Sequence, residues 1–147
     1  MNTIRFVPTW LHACFDYIGG VTLIAAPFVF GFASVGGAAV ILPIVLGIGL
    51  ILYSLLTNYE LGLPVLKFIP MPVHLIIDVV AAALLAVSPF VFGFSNHPLN
   101  VWLPHVVSGI GVIVLVLVTQ TRPYMRSVRG AFQPASGFCL TAERRGA

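Results

Sequence analysis

The chain has 147 residues, 59% of them hydrophobic and 7% charged, with a formal charge of +3. Ordinary soluble domains carry roughly 25% charged residues, so too few charges are present to build a water-facing surface, and most of this one must face lipid. The bases line no helix face with interleaved aromatics, which argues against nucleic acid as a partner.

Residues 1–8 are a short lead containing Arg5, and Pro8 suits the first turn of a helix, where its missing N–H costs nothing. Residues 9–32 form the first apolar run. About 20 residues cross the roughly 30 Å hydrocarbon core, so this run suffices. It is longer than the apolar region of a secretory signal and recurs inside the chain, so it is expected to be a span rather than a leader. An uncharged turn at 33–38 leads to a second span over 39–57, which contains Gly47 and Gly49. The longest connection, 58–72, holds Glu60, Lys67, Pro64, Pro70 and Pro72. A third span is expected over 73–94 and, after a short turn, a fourth over 101–121 with Gly109 and Gly111. From Arg122 the chain is polar and basic. A membrane domain over 1–129 is expected, followed by a disordered cytoplasmic tail over 130–147. Cys14 and Cys139 form neither a disulfide framework nor a metal-binding spacing.

The first and third spans are copies. Ile-Arg-Phe-Val-Pro-x-x-Leu-His-x-x-x-Asp near the N-terminus returns as Leu-Lys-Phe-Ile-Pro-x-x-Val-His-x-x-x-Asp, and each is followed by an apolar run and Pro-Phe-Val-Phe-Gly-Phe. Phe6 and Phe68, Pro8 and Pro70, His12 and His74, Asp16 and Asp78, Pro27 and Pro89, Gly31 and Gly93 all lie 62 positions apart. An ungapped repeat constrains the fold more than any single motif. The repeats run over 4–65 and 66–127. Each is a helical hairpin that returns to its starting side, so the two are parallel and related by an axis along the membrane normal. The fold class read from this is an all-α membrane protein, a bundle of four transmembrane helices made of two parallel-related hairpin repeats.

With four spans, Arg5, Lys67, Arg122, Arg126, Arg129, Arg144 and Arg145, which are all the bases of the chain, fall on one side. This predicts cytoplasmic termini. The basic tail then marks topology and reaches lipid headgroups.

The Pro-Phe-Val-Phe-Gly-Phe blocks, preceded by Ala26 and Ser88, resemble the SPW repeat of prokaryotic membrane proteins, named for Ser-Pro-Trp before an apolar pair and Gly. Phe28 and Phe90 stand where that repeat has Trp. The resemblance covers nearly all of residues 4–121, including the Gly-x-Gly second helix. It implies a bacterial inner-membrane protein of two-helix repeats and brings no catalytic residue with it.

Chemistry is concentrated in His12, Asp16, His74 and Asp78. Spacing of four puts each His and Asp on one helix face within reach of each other. An aspartate facing lipid at the bilayer centre costs about 2.5–3.5 kcal/mol, and somewhat less nearer the interface, so both must face inward and find partners near the bundle axis. The plainest reading is a pair of His–Asp hydrogen bonds that satisfy each other and pin helices together. The functional alternatives are a proton- or ion-conducting site and a metal or haem site with His12 and His74 as ligands and the aspartates orienting them.

The remaining motifs read as structural. Gly47, Gly49, Gly109 and Gly111, with Gly19 and Gly20, are expected to permit close helix approach. Pro27 and Pro89 are expected to kink or end the helices just before them. Phe28, Phe30, Phe32, Phe90, Phe92 and Phe94 are expected to join Trp102 in an aromatic interface belt, with a hydrophobic ligand pocket as the alternative. His97 is expected in a solvated turn and His105 as a polar anchor at the outer interface. No catalytic or nucleotide motif is present. The chain is thus expected to be a small non-enzymatic membrane subunit, with lipid around it and a second copy or a larger membrane complex as its partner.

Overall fold

The computed structural model describes residues 5–63 and 67–121. They form four helices, α1 (Thr9–Val29), α2 (Gly37–Leu55), α3 (Met71–Val91) and α4 (Leu99–Val118), with a 3₁₀ turn at Ala33–Val35 before α2. All four are long and apolar enough to cross a membrane. Each bound of α1 recurs 62 residues later in α3. α2 and α4 begin at the same offset and end within one residue of it. The helices stop two to three residues short of the expected spans, because a hydropathy run does not mark where a backbone cap falls.

α1 packs along α2, and α3 along α4. The inward faces obey helical periodicity and repeat with the sequence. Thr9, His12, Ala13, Asp16, Gly20 and Pro27 are buried on α1, while Met71, His74, Leu75, Asp78, Ala82 and Pro89 are buried on α3. The outward faces carry large exposed side chains such as Ile18, Ile41, Ile76 and Val107. An apolar exterior around a polar interior suits lipid as the solvent.

The hairpins join at one end through two isolated parallel bridges, Val7 with Thr119 and Thr57 with Ile69. These are the same contact shifted by 62 residues, as an approximate two-fold axis along the bundle requires. The expected tail at 130–147 lies outside the described residues, as do Cys139 and the bases from Arg122 onward.

Three expectations about the helices are corrected. Pro27 and Pro89 lie inside α1 and α3, which continue two residues past them. Gly31 and Gly93 mark the true ends, with φ of 72° and 73°. In the first repeat the Phe32 N–H bonds to the Pro27 carbonyl at 2.8 Å and the Gly31 N–H to the Phe28 carbonyl at 3.3 Å. That is the left-handed glycine cap of a Schellman motif, so Pro-x-x-x-Gly-Phe is a helix terminator.

The aromatic belt holds only in part. Phe28, Phe30, Phe90 and Phe92 are exposed, whereas Phe32 and Phe94 turn inward to a core with Ala26, Ala39 and Val101, against which Trp102 packs. The glycine cap causes this, because it reverses the chain and points the following phenylalanine back at the bundle.

The glycine pairs are also unequal. A Cβ on Gly47 would sit 2.6 Å from the Gly20 carbonyl oxygen, and one on Gly109 would sit 2.5 Å from the Ala82 oxygen. At Gly49 and Gly111 nothing lies within 4 Å. One glycine of each pair sits at the helix crossing and its neighbour points away.

Candidate functional site

His12 and Asp16 on α1 and His74 and Asp78 on α3 converge on the bundle axis, each at most 4% exposed. Placement on the first two turns of each helix follows from Pro8 and Pro70, which cap extended backbone just before the helix starts. The shared inward face then delivers all four side chains to one point.

The expected pairing within each helix is not the tightest one found. His12 Nε2 lies 3.1 Å from Asp78 Oδ2, and His74 Nε2 lies 3.1 Å from Asp16 Oδ2. The contacts within a helix are longer, 3.4 Å for His12 with Asp16 and 3.3 Å for His74 with Asp78. The four groups therefore form a closed ring that alternates His and Asp and crosses the repeats.

Two threonines absent from the sequence reading complete it. His12 Nδ1 is 2.8 Å from Thr119 Oγ1, and His74 Nδ1 is 2.8 Å from Thr57 Oγ1. Each threonine hydroxyl donates to the carbonyl four residues earlier, Leu115 or Tyr53. Its oxygen is left to accept, which assigns the imidazole hydrogen to Nδ1 and turns Nε2 toward the carboxylates. Thr57 and Thr119 are themselves 62 apart, so the repeat held the signal for them.

The outer lone pairs of the carboxylates are also used. The Tyr53 hydroxyl donates to Asp78 Oδ1, and the Ser54 hydroxyl donates to Asp16 Oδ2 at 3.4 Å. Here the symmetry fails, because Leu115 and Val116 occupy the matching places on α4. α2 alone supplies these hydroxyls.

The connection after α2 closes the site. Tyr59 is buried with its ring 5.6 Å from that of His74. Burial raises the Tyr59 phenol above the ordinary tyrosine range, so this cover brings no charge. Beside it the Thr9 hydroxyl donates to Glu60 Oε2 at 2.7 Å, and Arg5 Nη1 donates to the Thr119 carbonyl at 3.1 Å.

A haem does not suit this geometry. The two imidazoles are 5.6 Å apart in an edge-on arrangement and each Nε2 lies within 3.4 Å of both carboxylates, so a macrocycle between the histidines would have to displace both aspartates. The aspartates line the same centre as Nε2 rather than sitting behind the histidines, and the threonines occupy that rear position.

His97 is exposed in its turn. His105 is not the interfacial anchor expected of it. It is 2% exposed, donates from Nε2 to the Ala39 carbonyl at 3.0 Å, and lies against Phe32 and Phe94. It fills the place that Pro43 fills in the first repeat.

An apolar exterior, four spanning helices and a sealed polar centre define a multi-pass membrane protein. A family model for the SPW repeat domain matches residues 9–119. The chain belongs to that family. No curated protein and no solved structure matches the chain.

Proposed function

We propose that the chain is a non-enzymatic structural or interaction subunit of a bacterial inner membrane, with its termini in the cytoplasm, and that the His–Asp ring is the lock that holds its two hairpins as one body. The crossed contacts carry this reading, since each histidine takes its nearest carboxylate and its threonine from the other repeat. The bases Arg5 and Lys67, at corresponding places before α1 and α3, support the orientation. Sealing supports the absence of turnover, because no substrate reaches four groups that are covered on every side.

A double-mutant cycle between His12→Ala and Asp78→Asn in detergent-purified protein tests the lock. A coupling energy of about 1 kcal/mol or more between repeats is expected for groups in one network, and additive losses would refute it. The partner role is tested by the native mass of the chain extracted at its own expression level. Migration as a lone chain in detergent would remove it.

A further inference from the structure

We propose that the ring is also a closed binding site for one divalent transition-metal ion of the zinc kind, with His12 Nε2, His74 Nε2 and one carboxylate oxygen each from Asp16 and Asp78 as ligands. The inference rests on the convergence that underlies the lock and adds an occupant to it.

The first support is distance. A tetrahedral ion with metal–ligand bonds of about 2.0–2.2 Å holds its ligand atoms about 3.3–3.6 Å apart. The four His–Asp edges of the ring measure 3.4, 3.1, 3.1 and 3.3 Å, with Asp78 presenting Oδ2 to both histidines and Asp16 presenting Oδ1 to His12 and Oδ2 to His74, and one donor atom from each residue lies within 4.8 Å of all the others. Bringing a separation of up to 4.8 Å down to a tetrahedral edge takes about 1 Å of movement, which rotation of the carboxylates and imidazoles supplies.

The second is orientation. Metal-bound histidines characteristically donate their other ring N–H to a fixed acceptor, which sets the tautomer and aims the free lone pair. Thr119 and Thr57 do this for His12 and His74, and their own hydrogens are already committed to backbone carbonyls. Tyr53 and Ser54 hold the carboxylates from outside.

The third is charge. Two carboxylates and two neutral imidazoles around a divalent cation sum to zero, and a buried site tolerates no unpaired charge. Ligand type then selects the ion. Calcium takes six to eight oxygens and magnesium an octahedron rich in water, and neither is available in so small a sealed centre. The absence of a thiolate argues against copper(I). With no fifth position open to solvent, the ion is structural rather than catalytic.

The full chain, expressed in zinc-supplemented medium and purified in detergent without chelator, is expected to carry one zinc per chain by elemental analysis. A preparation from cobalt-supplemented medium is expected to show the intense visible bands of tetrahedral Co(II). Thr57→Val and Thr119→Val keep all four ligands, and each is expected to weaken the ion's affinity by about 10–100-fold in competition with a chromophoric chelator. A folded protein with substoichiometric metal in both preparations overturns the proposal. If that metal-free protein still loses stability on Asp78→Asn, the lock survives and only the ion is discarded. If its stability ignores Asp78→Asn, both readings fail.

Discussion

Thr57 and Thr119 perform one task from opposite repeats, each fixing the Nδ1 hydrogen of the histidine in the other hairpin, at the same 2.8 Å. Their equivalence makes the polar centre a property of the pair of repeats. Each hairpin carries one His, one Thr and one Asp, but each histidine finds its threonine and its nearest aspartate in the other hairpin.

From this relationship the two threonines are expected to matter equally. Thr57→Val or Thr119→Val leaves a buried imidazole N–H without an acceptor, a loss of about 1–3 kcal/mol. Chemical unfolding of the purified variants in detergent measures it. Losses that differ by more than the spread of the measurement would show that the repeats do not share the load.

The aspartates, in contrast, are expected to rank. Asp78 Oδ2 lies 3.1 and 3.3 Å from the two imidazole Nε2 atoms and its Oδ1 accepts from the Tyr53 hydroxyl, while the hydroxyl bond to Asp16 is a long 3.4 Å one from Ser54. Breaking a buried pair costs about 3–5 kcal/mol. Asp78→Asn is expected toward the upper end of that range and Asp16→Asn toward the lower end, with Tyr53→Phe narrowing the gap. The opposite order would remove the role assigned to Tyr53.

Close approach gives a paired test. Gly47→Ala and Gly109→Ala push a methyl into the backbone of the facing helix, and overpacking of this kind costs about 1–3 kcal/mol. Gly49→Ala and Gly111→Ala meet open space on the outward face and are expected to be neutral or slightly stabilising, since Ala outranks Gly in a helix by about 1 kcal/mol. Thermal unfolding of the four variants decides it, and equal effects at 47 and 49 would contradict the crossing described here.

The helix terminator makes a separate prediction. Gly31→Ala and Gly93→Ala force a side chain into the left-handed region, at about 1–2 kcal/mol each, although nothing crowds the added methyl. Local exchange of the amides at residues 30–33 is expected to quicken in Gly31→Ala while α2 stays protected. Unchanged exchange would refute the cap.

The expected pairing of His12 with Asp16 came from helical spacing, which reports only neighbours on one helix. The nearest carboxylate is supplied by the other repeat, at a separation of 66 residues, and no local periodicity carries that. The Gly-x-Gly pairs were legible as packing elements, but not which glycine of each pair does the packing. Two residues are about 200° apart around a helix at 3.6 residues per turn, and the rotation of each helix is set by its neighbours. His105 shows the same limit. Its place near the start of an apolar run suggested the interface, and the inward turn of Phe32 and Phe94 enclosed it instead.

The amino-acid sequence by itself determined four lipid-length helices, their pairing into two parallel hairpins and the inward aim of two histidines and two aspartates. Hydropathy, proline and glycine placement and an ungapped repeat act along the chain and need no partner. The tertiary structure alone decided which imidazole meets which carboxylate, the service of Thr57 and Thr119 behind them, and the closure of the centre by Tyr53, Ser54 and Tyr59. Those contacts depend on how two hairpins rotate and seat against each other, and that is resolved only when both bury their polar faces together.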